Sequence, residues 1–437
     1  MRTMMQAGLT ATAVCLLLSG CGQAVTSLDA TSGGVAVVTF QGQVNEGQQP
    51  VSGATLKLYA AGSTGYGSAY AYTAADSLLG NYVVTTNSSG HFVVSGQYQC
   101  PASNPEVYLV ARGGTSVAGA ASNPNLAMMT ALGPCLSLNS STVIQVNELT
   151  TVASVWALAP FMTSIANVGT SAGNSVGLAN AFAAVNKLVN TATGTSPGLA
   201  LPATATLPTA ELNSLADILA ACVNSSGGTA GDHSFCGDLF ALAVASNGTS
   251  PTDTLTAMLN IARNPAQNVP QLNLLSSRLT PFQPTLPSAP ASWTIAIRYG
   301  GLSAPRGIAA DQSGNLWIAN SGAQNVVELS SSGSVTGSYA SGLAGMAVAI
   351  DQSGNAWASA SSSGSLLKIA PGGTVSTVSG GGLGVTNALA VDGAGQIWAA
   401  GSGSTLSGFS SAGAPLAAAG FSGGGASNAQ SLAITPK

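Results

Sequence analysis

Charge is scarce in this chain. Of its 437 residues only 5% are Asp, Glu, Lys or Arg, and the formal net charge is −4. Lysine and arginine never cluster, so the electrostatic footprint of a nucleic-acid partner is missing. Histidine is rarer still, with His91 and His233 as the only two. A Ser or Cys nucleophile with a histidine base has to use one of them. No CxxC pair occurs, which leaves a zinc ribbon or a thioredoxin-type site without support. No apolar run reaches the about 20 residues of a membrane-spanning helix. Neither a metal nor a cofactor is expected.

Small residues fill the space that charge leaves. Glycine alone numbers 55, beside much Ser, Thr, Ala and Asn. With 46% hydrophobic residues the chain can still build a core. This balance suits a β-rich extracytoplasmic protein with many tight turns. The length predicts two to four domains.

The first residues carry an address. Met1–Gln6 holds one positive charge, Arg2, and Ala7–Leu18 is an apolar run too short to span a bilayer. Together they read as an export signal over residues 1–20. The following Leu18-Ser19-Gly20-Cys21 resembles the bacterial lipobox, with an ordinary secretory signal and a chance cysteine as the alternative. The resemblance implies cleavage before Cys21, acyl chains (palmitate among them) on that cysteine, and a place in the cell envelope outside the cytoplasm. Two or more chains anchor a protein durably. Residues 21–34 would be the anchor and a flexible tether.

Cys15 leaves with the signal and Cys21 takes lipid, so Cys100, Cys135, Cys222 and Cys236 remain. In an oxidising compartment an even number implies disulfides, and four cysteines allow three pairings. The pairing that stays within each region is Cys100–Cys135 and Cys222–Cys236.

Residues 35–113 alternate apolar and polar side chains. Val35–Phe40, Ala54–Tyr59, Tyr82–Thr86, His91–Val94 and Val107–Val110 read as strands, and Asn87–Gly90 as a hairpin turn. The run Gly42-Gln43-Val44, then Pro50-Val51-Ser52-Gly53-Ala54-Thr55-Leu56, resembles Ig-like sandwiches of the carboxypeptidase-regulatory type, which implies a spacer or adhesive module. Residues 114–146 are left as a connector. Residues 147–280 switch to helical spacing. Leu149/Val152/Val155/Trp156/Leu158, Leu178/Phe182/Val185/Leu188/Val189, Leu212/Leu215/Ile218/Leu219/Cys222 and Leu255/Met258/Leu259/Ala262 form four stripes, the third with Glu211 and Asp217 in it. Ser250-Pro251 is the expected start of the fourth helix and Pro265 its stop. Four prolines make residues 281–290 a stiff linker.

From Gly300 onward the chain repeats. Asp311, Asp351 and Asp392 recur about every 40 residues, each followed by a glycine (Gly314, Gly354, Gly395) and a tryptophan (Trp317, Trp357, Trp398). Several short strands at this period are a propeller-blade signature. Pro305-Arg306-Gly307-Ile308, Asp311, Gly314-Asn315-Leu316-Trp317 and Asn320 resemble the NHL repeat, whose relatives include streptogramin-lyase-like and gluconolactonase-like propellers. Structural roles are expected. The aspartates accept turn amides, the glycines supply positive φ, and the tryptophans fill the space between blades. Lining a metal-binding channel is the alternative for the aspartates. Three copies are visible over residues 291–437. Trp293–Tyr299 is expected to add one strand before them, and Ser431–Thr435 to begin a fourth copy.

The fold class that results is multidomain: an all-β sandwich, a small all-α domain, then a partial NHL-type β-propeller. The lyase and lactonase relatives use propeller histidines or several carboxylates, whereas residues 300–437 have no histidine and only Asp311, Glu328, Asp351 and Asp392 as acids. Gly173–Gly177 and Gly194–Gly198 match a nucleophile-elbow pattern around Ser175 and Ser196, but neither follows a predicted strand. The expectation is a protein with no catalytic residue, not an enzyme. It would bind or scaffold at the envelope, with the membrane, a protein or carbohydrate ligand, and a second copy of itself as partners. A streptogramin-lyase-like or lactonase-like enzyme and a surface adhesin are the alternatives.

Overall fold

The computed structural model describes residues 37–47, 49–70, 77–340, 347–359, 364–423 and 427–434. The export signal and Cys21 lie outside these. No helix among the described residues is long and apolar enough to cross a membrane.

Alternation builds the first layer. In β1 (Val37–Glu46) Phe40, Gly42 and Val44 are buried, while Gln41 lies exposed and Gln43 half-exposed. One sheet places β1 between β2 (Gln49–Pro50) and β5 (His91–Gln99), both antiparallel to it. The facing sheet has β3 (Thr55–Ala60), β4 (Val84–Thr85), β6 (Glu106–Arg112) and β7 (Ala127–Pro134) in the order β4-β3-β6-β7. The turn before β5 forms as its residues dictate. Asn87 Oδ1 accepts the Ser89 and His91 amides, and Gly90 takes a φ of +70°.

The segment read as a connector is not one. It supplies β7 and also β8 (Val143–Val146), which runs parallel to β1 with Gly42 opposite Ile144. The approach is so close that a Cβ on Gly42 would strike the Ile144 carbonyl oxygen and the Phe92 ring.

The helices then cover the sandwich. α1 (Glu148–Leu158) begins with a reciprocal cap, Asn147 Oδ1 accepting the Thr150 amide and Thr150 Oγ1 accepting the Asn147 amide. Its hydroxyls satisfy the edge of β7, since the Met129 amide donates to Thr151 Oγ1 and the Ala131 amide to Ser154 Oγ. α2 (Ser175–Leu188), α3 (Thr209–Val223), α4 (Phe235–Leu242), α5 (Thr254–Arg263) and α6 (Val269–Leu275) complete the layer. α5 starts later than Ser250-Pro251. Asp253 is its cap, accepting the Thr256 amide at 2.8 Å. The sheets and helices share one continuous apolar core that runs from Phe40 to Trp293. Two disulfides brace it, Cys100–Cys135 with Cα atoms 5.7 Å apart and Cys222–Cys236 with 4.4 Å.

The proline-rich stretch is pinned to α3. The Phe282 amide donates to Asp217 Oδ1, Asn213 Nδ2 donates to the Pro284 carbonyl, and the Leu286 amide donates to Ser214 Oγ. Trp293 is fully buried in the first core, and Arg298–Tyr299 pairs with Thr206–Ala205. Trp293–Tyr299 therefore adds no strand to the repeats, because the Trp293 indole is buried in the first core and Arg298–Tyr299 pairs there.

The repeats form three four-stranded antiparallel meanders. The first has Pro305–Ala310, Leu316–Asn320, Asn325–Leu329 and Val335–Ala340. The second has Val348–Ile350, Ala356–Ser359, Ser365–Ile369 and Val375–Ser379. The third has Thr386–Val391, Ile397–Gly401, Thr405–Phe409 and Phe421–Ser422. Blades stack face to face. Trp317, Ala319 and Val326 pack on Val348, Ala358 and Ile369, and Trp357 and Leu366 pack on Ile397, Ala399 and Phe409. The fold is propeller-like, and the ring does not close among the described residues. Residues 431–434 carry no strand, and Thr435 lies outside the described residues.

Candidate functional site

Each repeat aspartate folds its own turn. Asp311 accepts the Ser313 and Asn315 amides, Asn315 Nδ2 at 3.0 Å and Trp317 Nε1 at 3.2 Å. Asp351 accepts the Ser353 and Asn355 amides and Trp357 Nε1 at 2.9 Å. Asp392 accepts the Ala394 and Gln396 amides and Trp398 Nε1 at 2.9 Å. Gly314, Gly354 and Gly395 close these turns at φ +80°, +78° and +77°. Burial raises the Asp311 and Asp351 carboxyls, but the hydrogen bonds, led by the indole N–H, outweigh it and hold both below the usual carboxylate range. For Asp392 the Trp398 indole is the leading cause of the same lowering. Carboxylates so occupied tie each tryptophan to its own turn. Among the described residues no three His, Cys, Asp or Glu side chains gather to hold a metal ion.

The three tryptophans differ in what covers them. Trp317 is 2% exposed and Trp357 0%, each sealed by the following blade. Trp398 is only half-buried, with Phe421 tilted against it at 5.5 Å. Beside it opens a cleft of about 1140 Å³, lined by Val391, Trp398 and Leu406 of the third blade, by Ile350 and Gln352 of the second, and by Leu432–Ile434. In sequence the three copies look alike, and no residue of the repeat sets Trp398 apart from Trp317 and Trp357.

A second feature escaped it as well. Glu46, Glu148 and Asp217 are buried where β1, α1 and α3 meet. Glu148 Oε2 accepts the Gly47 amide at 3.0 Å, and its Oε1 has no partner among the described residues. Burial pushes the Glu148 carboxyl up to about 8, with a smaller push from the Glu46 charge and a pull downward from the Gly47 amide. Burial likewise raises Glu46 and Asp217 to about 7. A polar cleft of about 510 Å³ lies nearby, with Asn45, Gly47, Asn147, Ser196 and Asn213 among its walls. In sequence Asp217 stands within an apolar stripe and nothing sets Glu46 or Glu148 apart as buried. Only the tertiary packing reveals their burial.

The serine motifs and histidines fall apart in space. Ser175 is the first residue of α2, while Asn174 holds the cap position, and a two-residue strand, Asn167–Val168, does precede it. Ser196 lines the polar cleft. His91 opens β5, exposed, and His233 sits in the turn before α4 at φ +64°. Neither histidine lines these clefts.

No family model and no curated protein matches this chain. Solved structures do. A streptogramin B lyase structure is 17% identical over 26% of this chain and 39% of its own, with a TM-score of 0.25. The virginiamycin B lyase from Staphylococcus aureus is 18% identical over 25% and 39%, with a TM-score of 0.24. The computationally designed Ika4 protein is 15% identical over 31% and 82%, with a TM-score of 0.26. The chain thus spans well under half the length of the lyases it matches. These comparisons correct the expectation that the chain is not an enzyme, because the solved structures it resembles include lyases. Histidines missing from the repeats exclude one way of doing chemistry and not catalysis itself. The likeness is one of fold, to propeller-like proteins.

Proposed function

We propose a lipid-anchored binding protein of the bacterial cell envelope, with NHL-type blades that present their contact surface on the third blade. The signal at 1–20, the lipid on Cys21, the Ig-type sandwich of the carboxypeptidase-regulatory kind and the NHL assignment all belong to this reading, on the residue patterns that suggest them. Its partner is a protein, a carbohydrate or a second copy of the chain. The observation that carries it is Trp398. The same tryptophan is sealed in the first two blades and half-open in the third, above a cleft of about 1140 Å³. Apolar surface of this kind, framed by polar residues, marks interaction sites.

Photo-crosslinking tests it. A photoreactive residue in place of Leu406 in the full-length protein should give one discrete adduct in illuminated cells, and Trp398→Ala should abolish it. An adduct no stronger than that from exposed Val83 overturns the reading.

A further inference from the structure

A smaller cleft, of about 350 Å³, lies between the sandwich and the first turn of α2. It sits at the low end of the about 300–1,000 Å³ typical of small-ligand pockets. Its backbone is fixed from three sides. The Gly62 amide donates to the Val168 carbonyl and the Thr170 amide to the Gly62 carbonyl, which holds Thr170 against the exit of β3. The Ala61 amide donates to the Glu106 carbonyl at 2.8 Å. The Cys135 amide donates to the Pro105 carbonyl, so the Cys100–Cys135 disulfide braces the remaining wall.

Into this rigid frame come two buried oxygens that have no partner among the described residues. Thr170 is 2% exposed, and its Oγ1 is buried with no partner among the described residues. Glu106 is half-buried, and its Oε2 is likewise buried with no partner among the described residues. A buried polar atom left unpaired costs about 1–3 kcal/mol, so such atoms in a rigid cleft call for a partner from outside the chain. The first turn of α2 adds donors, since no side chain among the described residues caps it. Asn174 Nδ2 instead donates to Tyr66 Oη at 2.7 Å. Leu178 and the Tyr70 ring supply an apolar wall.

This set selects a ligand class. A lone carboxylate, with no other acid on the walls among the described residues, is a poor metal site, and it repels an anion that the helix start would otherwise draw. What fits is a neutral molecule with both hydroxyl donors and acceptors and one apolar face. We infer that Glu106, Thr170 and the first turn of α2 form a binding site for a sugar-sized neutral polyol. Glu106 and Thr170 accept its hydroxyls, the α2 amides donate to its oxygens, and Leu178 and Tyr70 hold its apolar face. The site stands independently of the third-blade surface.

The test uses the full-length protein in detergent and ligand-observed saturation-transfer NMR. The probes are glucose, galactose and N-acetylglucosamine, with acetate and methylammonium as charged controls. At least one sugar is expected to show transfer. Glu106→Gln and Thr170→Val should each weaken it about tenfold, the worth of one hydrogen bond to a buried group. Val176→Trp, at an exposed position of the same helical turn that lines the cleft, should abolish it while circular dichroism stays that of the parent protein. Absence of transfer for all three sugars overturns the inference. So does binding undiminished in every variant, or a preference for acetate or methylammonium.

Discussion

Raising the pH should unfold this protein from inside, through Glu148. The carboxyl is fully buried and titrates at about 8 in the folded chain, against 4.5 when free. The folded state therefore holds its proton more tightly than the unfolded state does. Below pH 4.5 both states are protonated and nothing is lost. Between 4.5 and about 8 the unfolded chain releases its proton and the folded chain does not, so stability falls as pH rises. At about 1.4 kcal/mol per pH unit, Glu148 alone can cost up to about 5 kcal/mol by pH 9. That is a large part of the about 5–15 kcal/mol that holds a typical domain. Glu148→Gln keeps an acceptor for the Gly47 amide and removes the titration. Denaturant unfolding of the parent chain at pH 6, 7.5 and 9 should show steadily falling stability. The Glu148→Gln profile should be flatter, and the variant the more stable of the two at pH 9. Parallel profiles, or a parent chain that gains stability with pH, would refute the reasoning.

Other expectations follow from the same architecture. Cys21→Ala should release the protein from membranes or leave it uncut, and unchanged fractionation counts against the anchor. Replacing Cys222 and Cys236 together by serine should cost about 2–4 kcal/mol in denaturant unfolding, and no measurable loss would argue against the bridge. Trp357→Ala, emptying a fully sealed position, should cost about 3–5 kcal/mol, whereas Trp398→Ala should cost clearly less because that side chain is half-exposed. Equal losses would mean that the third blade is as well covered as the second.

What could be read from the sequence was local or periodic. The Asp-Gly-Trp spacing placed every repeat turn, since each aspartate bonds only to residues within six positions of itself. The helix stripes of α1, α2, α3 and α5 follow from apolar spacing alone. Long-range pairing was not legible. β8 joins β1 across about 100 residues, and nothing in Val143–Val146 names Gly42 as its neighbour. The prolines of 281–290 suggested a free linker, yet their carbonyl and amide neighbours bond to α3. Trp293 looked like the start of a blade and is instead a plug in the first core. The clefts at Trp398, at Glu148 and at Glu106 depend on what is absent around a side chain, which a linear pattern does not record.

Amide hydrogen exchange on the isolated full-length protein tests the central claim most directly. The first two blades are sealed by their successors, and the third presents an open face. Amides of Ile397–Gly401 and Thr405–Phe409 should therefore exchange well before those of Ala356–Ser359 and Ser365–Ile369. Equal protection in the second and third blades would contradict it, because it would require a cover over Trp398 equivalent to the one that the third blade places over Trp357.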